Sequence, residues 1–154
     1  MEKREKEQMK DSMFTILDEM ADIDYFSIIS FSSWVSHWNP RDGFIERNEN
    51  EPYQATEDLK KKAIEGIMSL VAAGGTNINE AVLEAIELGK KSSNMIPATT
   101  KTMIVFLTDG QATNGITNLA AITNNIKSAN EALGQNGINK GKLNSMQDYS
   151  FLIS

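Results

Sequence analysis

The run Thr102-Met103-Ile104-Val105-Phe106-Leu107 has no polar residue after its first position. A strand with one wet face alternates apolar and polar side chains, whereas a continuous apolar run suits a strand covered on both faces. Tyr25-Phe26-Ser27-Ile28-Ile29-Ser30-Phe31 reads the same way. Two such strands need helices to cover them, and the rest of the chain supplies helical periodicity. Met9, Met13, Ile16, Leu17 and Met20 mark the apolar face of a first helix, whose opening Glu2 to Glu7 is a solvated charge run. Thr56 caps a second helix with Leu59, Ala63, Ile64, Ile67, Met68 and Val71 on one side, halted at Gly74-Gly75. Asn77 and Glu80 form a capping box for a third, which buries Ile78, Val82, Leu83 and Ile86 and ends near Gly89. Asn118 caps a fourth with Ile122, Ile126, Ala129 and Leu133.

Between the first buried strand and the second helix, Trp34 to Trp38 alternates. Trp34, Ser36 and Trp38 share one face, with Val35 and His37 on the other. Its short link to Phe31 implies an antiparallel edge hairpin. His37 is the only histidine, and on an edge strand it reads as a surface residue. Asn39 to Pro52 is a polar loop, Lys90 to Lys101 another, and Gly134 to Asp148 a third. Tyr149 to Ser154 is a final strand. Strands alternating with helices predict α/β architecture, an open, mostly parallel doubly wound sheet in a single domain over 1–154. In such sheets ligands sit at the carboxyl ends of the strands. The fold normally opens with a strand, but this chain opens with a helix.

Composition narrows the function. Fifteen Lys+Arg against 21 Asp+Glu give a net charge of −6, which argues against general nucleic-acid binding. The absence of cysteine excludes disulfides, thiol catalysis and cysteine-held metals. No run of about 18 apolar residues is present to span a membrane. The charged opening, Met1 to Lys10, carries no signal peptide.

Two spots carry chemistry. Gly74-Gly75-Thr76-Asn77 joins two helices, and Thr108-Asp109-Gly110 ends the strongest strand. A hydroxyl and a carboxylate at the strand-carboxyl end are hard oxygen ligands suited to Mg²⁺ or a similar cation. Taken alone, the second tripeptide is a turn and the first a helix stop.

Together the segments are specific. Phe26 to Phe31, Gly74-Gly75-Thr76-Asn77-Ile78-Asn79-Glu80-Ala81 and Ile104 to Gly110 resemble the von Willebrand factor A domain. The middle stretch, with Thr113-Asn114-Gly115, most resembles the inter-alpha-trypsin inhibitor heavy chain branch. The likeness runs over residues 1–133 and returns at Tyr149-Ser150-Phe151. It implies a metal-ion-dependent adhesion site, with Thr76 ligating a divalent cation directly, Asp109 ligating through water, and an acidic group of a protein partner completing the octahedron. It also implies an extracellular setting, in which heavy chains associate with hyaluronan and matrix and form a protease-inhibitor complex.

The sequence departs from that pattern. The first-strand D-x-S-x-S ligands are absent, and Met1 aligns with the Met that follows them in the heavy chains. The likeness implies a domain truncated at both ends, with an incomplete metal site where Mg²⁺ binds weakly or not at all. It also places the missing strand centrally, between Tyr25–Phe31 and Thr102–Leu107. Both neighbours are then expected to carry unpaired backbone groups, at about 1–3 kcal/mol for each one buried. A handful would rival a total stability of about 5–15 kcal/mol. The expected outcomes are a rearrangement that closes the gap, a strand from another chain, or marginal stability with aggregation-prone edges.

The leading functional reading is therefore a non-enzymatic protein- or matrix-binding module. One alternative is a truncated fragment without autonomous function. Another is a small α/β enzyme using Asp109 for phosphoryl-transfer or hydrolytic chemistry. It is disfavoured because the chain has no phosphate-cradling Gly-Lys-Ser/Thr loop, no G-x-S-x-G elbow and no second carboxylate at a telling spacing.

Overall fold

A computed structural model describes residues 2–70, 74–92, 101–107, 115–132 and 147–153. In chain order the elements are α1 (Glu2–Glu19), β1 (Tyr25–Phe31), β2 (Val35–Asn39), β3 (Gly43–Ile45), β4 (Tyr53–Gln54), α2 (Glu57–Met68), α3 (Ile78–Ser92), β5 (Lys101–Leu107), α4 (Leu119–Ala132) and β6 (Gln147–Ile153). The α/β class holds. Two short strands were not expected: β3 falls inside the stretch read as loop, and β4 directly follows it.

The sheet order is β3-β2-β1-β6-β5, with β4 also on β1. Sequence pattern predicts a mostly parallel sheet, but the described sheet is mixed. The β1–β2, β2–β3 and β1–β4 pairings are antiparallel, and only β1–β6 and β5–β6 are parallel. The cause is connection length. Residues 32–34 and 40–42 are too short for a crossover, so each link makes a hairpin. Strands β2 and β4 share one edge of β1, at its carboxyl and amino halves respectively.

At the other edge of β1 the described sheet takes the first of the expected outcomes, a rearrangement that closes the gap. Strand β6 lies between β1 and β5, in register from Tyr25↔Asp148 to Ser30↔Ile153 on one side and from Lys101↔Gln147 to Leu107↔Ile153 on the other. The expected gap is filled by the chain's own later strand. The physical reason is the cost of unpaired backbone: a seven-residue strand satisfies both facing ladders at once.

Strand β1 is covered on both faces. Phe26 and Ile28 pack with Met13, Leu17 and Met20 of and after α1, Trp38 of β2, and Ala63 and Ile67 of α2. Ile29 and Phe31 pack with Val35 of β2 and with Ala81, Ala85 and Leu88 of α3. This alternation is the period-two geometry of a strand. The side chains of β2 divide as the sequence predicts, with Trp38 on the first face and Val35 on the second. Trp34 precedes the strand and is 69% exposed, because it belongs to the hairpin turn.

Helices α1 and α2 stop each other's ends. Neither has a basic residue in its last turn. Lys60 of α2 donates to the Met20 carbonyl at 2.5 Å, just beyond α1. Lys10 of α1 donates to the carbonyls of Met68 at 3.3 Å and Leu70 at 2.9 Å, at the end of α2. Each ammonium supplies the positive charge that a helix carboxyl end favours. Thr56 caps α2 as predicted, accepting from the Leu59 N–H at 3.3 Å. Helix α2 ends at Met68, earlier than the apolar pattern suggests, and α3 runs past Gly89 to Ser92.

Candidate functional site

The loop carrying Thr76 is held at the carboxyl end of β1. The Asn77 backbone N–H donates to the Ser32 carbonyl at 2.8 Å, and Ser33 Oγ donates to the Gly74 carbonyl at 2.6 Å. Asn77 caps α3 by accepting from the Glu80 N–H at 3.2 Å. Its Nδ2 also donates to Glu80 Oε2 at 2.8 Å. That differs from an ordinary capping box, in which the glutamate reaches back to the cap's own N–H. Here that N–H is already used to tether the loop to β1. Gly75 has φ of +83°, a conformation that glycine adopts without a Cβ penalty.

Gly115 packs against the same loop. A Cβ there would lie 2.6 Å from Asn77 Oδ1, and its φ is +64°, so both space and backbone call for glycine. Thr76 is half-buried in this assembly. Asp109, expected as its companion ligand, lies outside the described residues, as do Thr113 and Asn114. Among the described residues no group of three or more His, Asp or Glu side chains is arranged to hold a metal. Of the two expected ligands only Thr76 lies among the described residues, and it offers one of the six oxygens that an Mg²⁺ octahedron needs.

A second cluster was not foreseen. His37, expected on the surface, is buried. Its Nδ1 lies 2.7 Å from Glu51 Oε1, and its Nε2 lies 2.5 Å from Glu84 Oε2. Strand β2 turns His37 toward α3 together with Val35, and the strand is not left bare because β3 and α3 cover it. The sequence held a signal for this, since His37 shares the face of Val35. The carboxylates come from distant positions, Glu51 between β3 and β4 and Glu84 on α3, so no local spacing marks them.

Both ring nitrogens face carboxylate oxygens, which is the bonding of an imidazolium with two donors. Burial pushes the His37 pKa down, but the hydrogen bond and charge of Glu51, followed by those of Glu84, outweigh it and hold it above its ordinary value. Burial pushes the Glu51 carboxyl up, and the hydrogen bonds and charge from His37 and Ser27 only partly offset this. Glu51 Oε2 and Ser27 Oγ are buried without a well-formed hydrogen bond among the described residues. The Ser27 contact therefore counts as a weak one. A cleft of about 410 Å³ opens beside the cluster, lined by His37, Glu84, Glu87, Lys91, Arg47 and Asn79 among others.

Comparison with known proteins identifies the family. Mouse inter-alpha-trypsin inhibitor heavy chain 4 is 34% identical over 125 residues, 80% of this chain and 12% of that protein. The chain belongs to the inter-alpha-trypsin inhibitor heavy chain family. Human heavy chain H4 is 32% identical over 131 residues, 84% of this chain and 13% of its own length. Bovine heavy chain H3 is 30% identical over 131 residues, again 84% of this chain and 14% of the relative. The chain thus spans about one eighth of the length of the curated heavy chains it matches. No protein-family model matches it. No described helix is long and apolar enough to cross a membrane.

Proposed function

We propose that this heavy-chain segment is a non-enzymatic binding module of von Willebrand A type, with a doubly wound organisation around β1. Its binding surface is the carboxyl end of the strands. The observation that carries this reading is the tether of the Gly74–Asn77 loop to Ser32 and Ser33, which presents Thr76 where β1 ends. Coverage of β1 by α1 and α2 on one face and α3 on the other supports the same architecture.

In this reading Thr76 and Asp109 belong to an incomplete metal-ion-dependent adhesion site. Thr76 supplies a neutral hydroxyl and Asp109 a charged oxygen, both hard donors for Mg²⁺. A bound cation would supply a positive centre for an acidic group on a protein or matrix partner. Two protein donors leave the coordination unfilled, so the chain alone holds the cation weakly. The heavy-chain relationship supports an extracellular setting and action within a protein assembly, with hyaluronan or other matrix as the surroundings.

The test is calorimetric titration of Mg²⁺ and Mn²⁺ into a longer polypeptide with an Asp-x-Ser-x-Ser strand ahead of Met1. Binding should appear there, and both Thr76→Ala and Asp109→Ala should abolish it. Undiminished affinity in Asp109→Ala would refute the site.

A further inference from the structure

We propose that His37 is a pH-operated pin: its proton fastens α3 to β2 and to the segment carrying Glu51, and loss of that proton frees Glu84 and opens the cleft beside it. The geometry is a single ring on β2 gripped from both ends by two other parts of the chain. With the ring protonated, each nitrogen donates to a carboxylate. With it neutral, one nitrogen presents a lone pair to a carboxylate oxygen at hydrogen-bond distance, and that contact turns repulsive.

The two arms are unequal, which sets the direction of release. The Glu51 side chain is 0% exposed, whereas that of Glu84 is 33% exposed. Glu51 has no route to water, so it keeps the Nδ1 proton. Glu84 can swing into solvent, so Nε2 is the position that gives up its proton. The other charged groups around the ring's open side are Glu80, Glu87 and Lys91 of α3 and Arg47 from the segment after β3. Glu80 is engaged by Asn77, and Asn79 is held by Asn125 of α4 at 3.1 Å. Strand β1 contributes the neutral Ser27 beneath Glu51. The raised pKa of His37 agrees with the geometry and puts the release above the ordinary range of a histidine.

Because the chain has one histidine, its imidazole nitrogens can be followed without ambiguity. The experiment is nitrogen-15 NMR of the intact chain across neutral and mildly alkaline pH, with amide hydrogen exchange along α3 at each point. The expected result is a doubly protonated ring near pH 6.5, a midpoint above it, and a neutral ring carrying its proton on Nδ1. Exchange protection in α3 around Glu84, corrected for base catalysis, should then fall by up to about tenfold per pH unit beyond the midpoint. Glu84→Gln should lower the midpoint and remove that coupling. A ring already neutral at pH 6.5, a neutral form protonated on Nε2, or α3 protection indifferent to the transition would each overturn the proposal. The wild-type measurements suffice if the variant fails to fold.

Discussion

Gly66 lies so close to the indole of Trp38 that a Cβ on Gly66 would sit 2.6 Å from Nε1 and 2.9 Å from Cδ1. The contact joins α2 to β2 across the core face that also holds Phe26, whose ring stacks on Trp38 with centroids 5.7 Å apart.

Gly66→Ala therefore sets two effects against each other. Alanine favours a helix interior over glycine by about 1 kcal/mol. Overpacking a filled core costs about 1–3 kcal/mol. Trp38 is 1% exposed and its ring is stacked on Phe26 and edge-on to Tyr53, so the clash should win. Urea unfolding should show a net loss of up to about 2 kcal/mol, the difference between those terms. A stabilised Gly66→Ala would show that the indole yields.

Lys60→Met keeps the buried stem and removes the ammonium from the Met20 carbonyl. A hydrogen bond to a charged group contributes about 1.5–3 kcal/mol. Lys60 is 6% exposed, so little of that is lost to solvent screening, and thermal unfolding should show most of it. Lys10→Met, at a partly buried contact, should cost less. Equal costs would mean that burial does not decide the strength of these caps.

Stability should fall as pH rises. His37 has a folded pKa above the unfolded 6.5, so its contribution is complete below 6.5 and is lost as pH climbs through the folded value. Glu51 has a folded pKa above 4.5, so its contribution has the same sign and begins to be lost at lower pH. Denaturation midpoints should decline from mildly acidic to mildly alkaline pH. In His37→Gln the share of the decline due to the imidazole should be lost, leaving only that of Glu51. A flat profile in the wild type would contradict the cluster.

Phe151→Pro tests the strand order. Residue 151 pairs with Ile28 on one side and Val105 on the other. Proline cannot donate to a ladder and is excluded from central strands. One buried acceptor left unpaired costs about 1–3 kcal/mol, before the ring's clash is counted. Amide exchange should accelerate in both β1 and β5. An effect confined to β5 would mean that β6 does not lie between them.

Local pattern made much of this architecture readable in advance. Caps at Thr56, Asn77 and Asn118 were visible because each sits next to the N–H groups it serves, and all three accept those bonds. The split of Trp38 and Val35 between opposite faces followed from strand periodicity alone. Strands β3 and β4 were invisible because their stability comes from partners elsewhere, His37↔Ile45 and Phe26↔Tyr53. The Thr76 loop was found through its glycines, but its anchoring to Ser32 and Ser33 was not.

By itself the sequence determined the α/β class, the positions of the four helices, the burial of β1 on both faces and the family. These depend on periodicity, capping and short motifs, which act over a few residues. Tertiary structure alone decided that β6 enters between β1 and β5, that lysines on α1 and α2 cap each other's ends, and that Glu51 and Glu84 converge on His37. Those contacts join residues 14 to 60 positions apart along the chain, apart from the β1–β6 pairings, which reach further. Their energy comes from desolvating charge and backbone together, and it exists only once the sheet has brought the partners within reach.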